Sequence, residues 1–118
     1  MLGDDPAAAY RRSAATLHAA WQDLALLNRQ FELPICVLPG RAALNIRLVE
    51  TVIHGWDRAK ATGQHSAFDP EVVGTAAQFA LSGLSGDQPP GTPFAPPVPV
   101  ADELPEIHRL AAFLGRTP

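Results

Sequence analysis

The chain has 118 residues, 47% of them hydrophobic and 18% charged, enough to bury the core of one domain spanning 1–118 and too apolar for wholesale disorder. A formal net charge of −3 argues against nucleic acid as the main partner, and one cysteine excludes both an internal disulfide framework and an all-cysteine zinc site. No apolar run approaches the roughly 20 residues a membrane span needs, and the first residues are not a signal peptide, so the expectation is a cytoplasmic protein.

Asp5-Pro6 opens the first element, an acidic N-cap followed by proline at N1. From Ala7 to Leu27 there is no Gly or Pro, and Tyr10, Ala14, Leu17, Trp21, Leu24 and Ala25 recur at helical spacing, predicting a helix of about six turns. Between Asn28 and Gly40 the pattern switches to alternation: Phe31, Leu33, Ile35 and Val37 against Glu32, Pro34 and Cys36. That predicts an extended connection with at most one short edge strand, ended by a Pro39-Gly40 turn. Cys36, in such a segment, is expected to act as a small hydrophobe.

A second helix is predicted over Arg41–Thr62, with Gly63 as its C-terminal stop. At 100° per residue, Leu48, Ala59, Val52, Trp56, Val49, Ile53 and Ile46 form one apolar arc, and Asp57, Glu50 and His54 line one edge of it. Asp69-Pro70 repeats the capping signal and opens a third helix to about Leu84, with Val72, Val73, Ala76, Phe79 and Ala80 inward. Ser85–Pro105 is a proline-rich connector expected to lie over the helices as extended chain, touching them through Phe94, Val98 and Val100. A short last helix, Pro105–Leu114, carries Ile107, Leu110, Ala111 and Leu114 on one face and stops at Gly115. The fold class is therefore all-α.

Glu50 and His54 stand four residues apart, so their side chains share a helix face and can converge on one ion. A carboxylate with a neutral imidazole suits zinc and other divalent first-row metals. The same spacing also fits a simple hydrogen-bonded pair, and Asp57 fits both a site-orienting carboxylate and a surface partner of Arg58 or Lys60. Trp56 is expected in the core, and His18, His65 and His108 at the surface or in caps. No catalytic residue is assigned, since Cys36, Ser82 and Ser85 lack a nucleophile signature.

The run from Leu48 to Gln64, LVETVIHGWDRAKATGQ, resembles the pattern E-x-x-x-H-G-W-D-L-A-x-A-T-G-Q of actinobacterial metal-binding proteins related to mycothiol-dependent maleylpyruvate isomerase. The start around Asp5–Arg11, Pro39-Gly40-Arg41, the stretch Phe94–Val100 and the end Arg109–Pro118 are similar as well, so the likeness covers nearly the whole chain; Arg58 stands where leucine is usual. The resemblance implies a DinB-like four-helix bundle holding one divalent metal, most simply zinc, with Glu50 and His54 as two of three protein ligands. The third, a histidine on the family's first helix, would precede Asp5-Pro6, so the chain corresponds to the family domain without that helix. It further implies a metal- and thiol-dependent transferase or isomerase, with mycothiol as thiol cosubstrate and a small acidic metabolite as partner. The alternative is a non-catalytic helical dimerisation or binding module that has lost the complete site. An uncovered helix face is expected to be closed by a second copy, giving a homodimer.

Overall fold

The computed structural model describes residues 3–34, 36–83 and 94–118. The chain is mostly helical, in two compact units, Met1–Leu44 and Asn45–Pro118. The elements are α1 (Pro6–Ala20), a 3-10 turn (Leu24–Leu27), strands β1 (Gln30–Leu33) and β2 (Cys36–Pro39), then α2 (Gly40–Thr62), α3 (Pro70–Gly83) and α4 (Glu106–Phe113).

In the first unit Asp5 caps α1 as its sequence suggests, its carboxylate accepting the Ala8 N–H at 2.9 Å. The helix stops at Ala20, short of the expected six turns. Asp23 supplies the reason: its carboxylate accepts the Ala25 N–H at 3.0 Å and starts a separate 3-10 turn, a local bond that competes with continued α-helix. No residue of α1 is buried; of the expected apolar stripe, Tyr10 is 70% and Leu24 72% exposed, while Trp21 is half-buried.

The predicted connection is a β-hairpin rather than a single edge strand. β1 and β2 pair antiparallel, Gln30 opposite Pro39 and Leu33 opposite Cys36. Both prolines sit where a missing N–H is harmless: Pro34 in the turn and Pro39 at the strand end. Gly40 is the first residue of α2 rather than part of a turn. Its N–H donates to the Arg29 carbonyl at 2.8 Å, and any Cβ there would collide with the Leu26 carbonyl. Trp21 and Phe31 meet at a tilt of 51° with ring centroids 6.3 Å apart, and the Arg29 guanidinium lies over Phe31. Cys36 is exposed, so its role as a packed hydrophobe is not realised.

The second unit holds the core. Val49, Val52, Ile53 and Trp56 of α2 meet Val73, Ala76, Ala77 and Ala80 of α3 and Leu110, Ala111 and Leu114 at α4. All four α2 residues belong to the predicted arc. The alanines of α3 and α4 have little side chain to hold the two helices apart. α2 ends in a Schellman motif: the Gln64 N–H reaches the Ala59 carbonyl at 2.8 Å, with Gly63 at φ 67°. Asp69 opens α3 by accepting the Glu71 N–H at 2.8 Å. Of the connector, Phe94 packs against the core and the Val98 N–H donates to the Ala112 carbonyl at 2.8 Å; Phe94, Val98 and Val100 are each half-buried. The expected end of α3 at Leu84 and the first part of the connector lie outside the described residues. Among the described residues, no helix is long and apolar enough to cross a membrane.

Candidate metal centre

The site grows from the polar edge of α2. Because Glu50, His54 and Asp57 follow one another at helical spacing beside the buried Ile53 and Trp56, their side chains emerge together where the core meets solvent. Glu50 Oε2 lies 2.9 Å from His54 Nε2, and Asp57 Oδ2 lies 3.3 Å from His54 Nδ1. The imidazole, 59% exposed, is thus held by a carboxylate at each nitrogen.

Asp57 is itself fixed from the far end of the chain. Arg116 Nε donates to its Oδ1 at 3.1 Å and Nη2 to its Oδ2 at 3.0 Å, a two-point clamp of guanidinium on carboxylate. Arg116 is held in turn: Nη1 donates to the Leu114 carbonyl at 2.9 Å, and the guanidinium lies 5.6 Å from the Phe94 ring centre. Hydrogen bonding from Arg116 holds the Asp57 carboxyl below the usual carboxylate range. Partial burial opposes that shift, while the charge of Arg116 and the bond and charge of His54 add to it. The surface reading of Asp57 as a partner of Arg58 or Lys60 is therefore replaced by a clamp 59 residues away in sequence. Nothing in the local spacing of α2 signals Arg116, and the pairing depends on Gly115, at φ 83°, turning the chain back after α4.

The donor set fits half of a metal centre. Zinc–nitrogen and zinc–oxygen bonds of about 2.0–2.2 Å place tetrahedral ligand atoms about 3.3 Å apart, so Glu50 and His54 need to open by only a few tenths of an ångström. Asp57 cannot complete the set from its present place, because it faces Nδ1, the nitrogen opposite the one shared with Glu50; there it can orient the ring instead. Among the described residues, no group of three or more His, Cys, Asp or Glu side chains is placed to hold an ion.

The other candidates are dispersed. His18 lies in the last turn of α1, 3.3 Å from Gln22 Nε2. His65 lies exposed in the loop after α2. His108, expected at the surface, instead accepts the Trp56 indole N–H at 3.0 Å with the rings edge to face, so the predicted core tryptophan carries a polar handle the sequence did not signal.

The chain is mostly helical, and α2 carries a carboxylate–imidazole–carboxylate edge. Over 116 residues, 97% of its length, the chain is 39% identical to uncharacterized proteins of Mycobacterium tuberculosis, one each from strains CDC 1551 / Oshkosh and ATCC 25618 / H37Rv. It spans 63% of the length of those relatives. No family model and no solved structure matches it.

Proposed function

We propose that the chain is a divalent-metal-binding domain of the type its 48–64 segment resembles, that of mycothiol-dependent maleylpyruvate isomerases, with Glu50 and His54 as metal ligands. One observation carries this reading: Glu50 Oε2 and His54 Nε2 converge at 2.9 Å while Asp57 occupies the other ring nitrogen. A ligating histidine whose second N–H is held by a carboxylate is a recurrent arrangement in metal sites. Arg116 positions Asp57, Asp57 meets the Nδ1 side of the ring and orients it, and Glu50 supplies the second donor. A divalent ion, zinc by the donor chemistry, would supply Lewis acidity and favour the thiolate of a bound thiol. The reaction class that follows is thiol-dependent transfer or isomerisation of a small acidic metabolite, with mycothiol as cosubstrate. A low-molecular-weight thiol, like the free Cys36, belongs to the reducing cytoplasm. Calorimetric zinc titration tests this: His54→Ala and Glu50→Ala should each weaken binding at least tenfold, and unchanged affinity in both would remove the site.

A second reading, a non-catalytic dimerisation module, is favoured by the exposed apolar side chains of the first unit, Tyr10, Leu17, Leu24, Leu33 and Val37. It predicts a homodimer through that surface. Sedimentation at low micromolar concentration decides it, a monomer with wild-type zinc affinity excluding the module.

A further inference from the structure

We propose that the cavity between the C-terminal turn of α2, the loop that follows it and the first turn of α4 binds a small organic carboxylate. The cavity measures about 280 Å3, and Trp56, Lys60, His65, Ser66, Ile107 and His108 are among its lining residues. A second space of about 280 Å3 adjoins it across Gln64, His65 and Ser66 and is lined by Arg58. The chain as a whole is acidic, yet among the described residues no carboxylate lines either space. Lys60 in the first space and Arg58 in the second place positive charge there in a net-negative molecule, with His65 and His108 beside Lys60 as hydrogen-bonding imidazoles.

The apolar part of the lining selects the ligand class. Trp56, Ile107 and Pro105 line it with apolar surface, which bare phosphate would leave unsatisfied and a short hydrocarbon or ring would cover. The indole N–H of Trp56 can only donate, so it fixes His108 Nδ1 as an acceptor and leaves the ring's proton on Nε2, a donor suited to a carboxylate oxygen. The Lys60 ammonium lies 5.7 Å from the Trp56 ring centre, so charge and apolar surface adjoin. Glu106, the acidic residue in the first turn of α4, lies next to Gly74 of α3 and lines a different cavity. None of these residues belongs to the Glu50–His54–Asp57 group, so the assignment stands whether or not that group binds metal.

The test follows the Trp56 indole N–H signal by NMR during titration with sodium benzoate, acetate and inorganic phosphate at constant ionic strength. Benzoate should move it saturably, and acetate and phosphate should bind roughly tenfold more weakly because neither covers the apolar wall. Lys60→Met should weaken benzoate about fivefold, and His65→Ala about threefold. Both positions are exposed, so both variants should remain folded, which a thermal melt checks. Glu50→Ala should leave benzoate binding unchanged. No saturable movement with benzoate, equal affinity in Lys60→Met, or phosphate binding as tight as benzoate would overturn the proposal.

Discussion

Replacing Asp57 by Asn and Arg116 by Met, singly and together, isolates the contact that ties the C-terminal segment to α2. The clamp consists of two charged hydrogen bonds, at 3.1 and 3.0 Å, with the guanidinium 21% and the carboxylate 35% exposed. Fully exposed ion pairs contribute about 0.2–1 kcal/mol, and hydrogen bonds to charged groups about 1.5–3 kcal/mol. With water reaching a third of the carboxylate, the coupling in the double-mutant cycle should be about 1–1.5 kcal/mol. Arg116→Met alone should lose more, because the bond to the Leu114 carbonyl and the contact with Phe94 go with it. On a domain of this size, 1 kcal/mol shifts Tm by roughly 3–6 °C. The pH dependence has a definite sign. Asp57 titrates lower in the folded chain than in the unfolded one, so its contribution is complete above the unfolded value of about 3.9. It is lost as pH falls through the depressed folded value. Urea unfolding of the four proteins at about pH 7 and again below about pH 3 measures this. A coupling under about 0.3 kcal/mol at neutral pH, or one that survives unchanged in acid, would refute the clamp as the element fixing Asp57.

Three further outcomes follow from the packing of the second unit. Gly115→Ala should destabilise by more than about 2 kcal/mol, since φ is 83° and the new Cβ would lie 2.6 Å from Ala95 atoms. Gly63→Ala should lose only about 1 kcal/mol, having a similar φ of 67° but open space around it; thermal melts rank the two, and equal losses would contradict the steric argument. Trp56→Phe should lose about 1–2 kcal/mol by removing the donor to His108, and that loss should shrink in a His108→Phe background.

The helices of the second unit were legible because each carries its own punctuation. Asp69-Pro70 starts α3, Gly63 ends α2, Gly115 follows α4, and the apolar arc of α2 supplies Val49, Val52, Ile53 and Trp56 to the core. The first unit was less so. Helix propensity ran on through Trp21–Leu27, but the side chain of Asp23 offers the backbone a competing local bond, which residue-by-residue propensity does not register. The hairpin was hidden by Pro34, which weakens a strand signal yet fits a turn between two strands. Within the site, Glu50, His54 and Asp57 could be found because they share one helix and one period. Arg116 and the Trp56–His108 bond could not, because both join residues more than fifty positions apart, where only tertiary packing brings them together.

In the proposed site His54 offers Nε2 to a metal beside Glu50 while Asp57 holds Nδ1. Nitrogen-15 NMR of the imidazole during zinc titration reads the two nitrogens separately. Zinc should move His54 Nε2 to the metal-bound range, with Nδ1 still protonated and bonded to Asp57, and Glu50→Ala should weaken the effect. A zinc-dependent change at Nδ1 instead, or none at either nitrogen at saturating zinc, would contradict it.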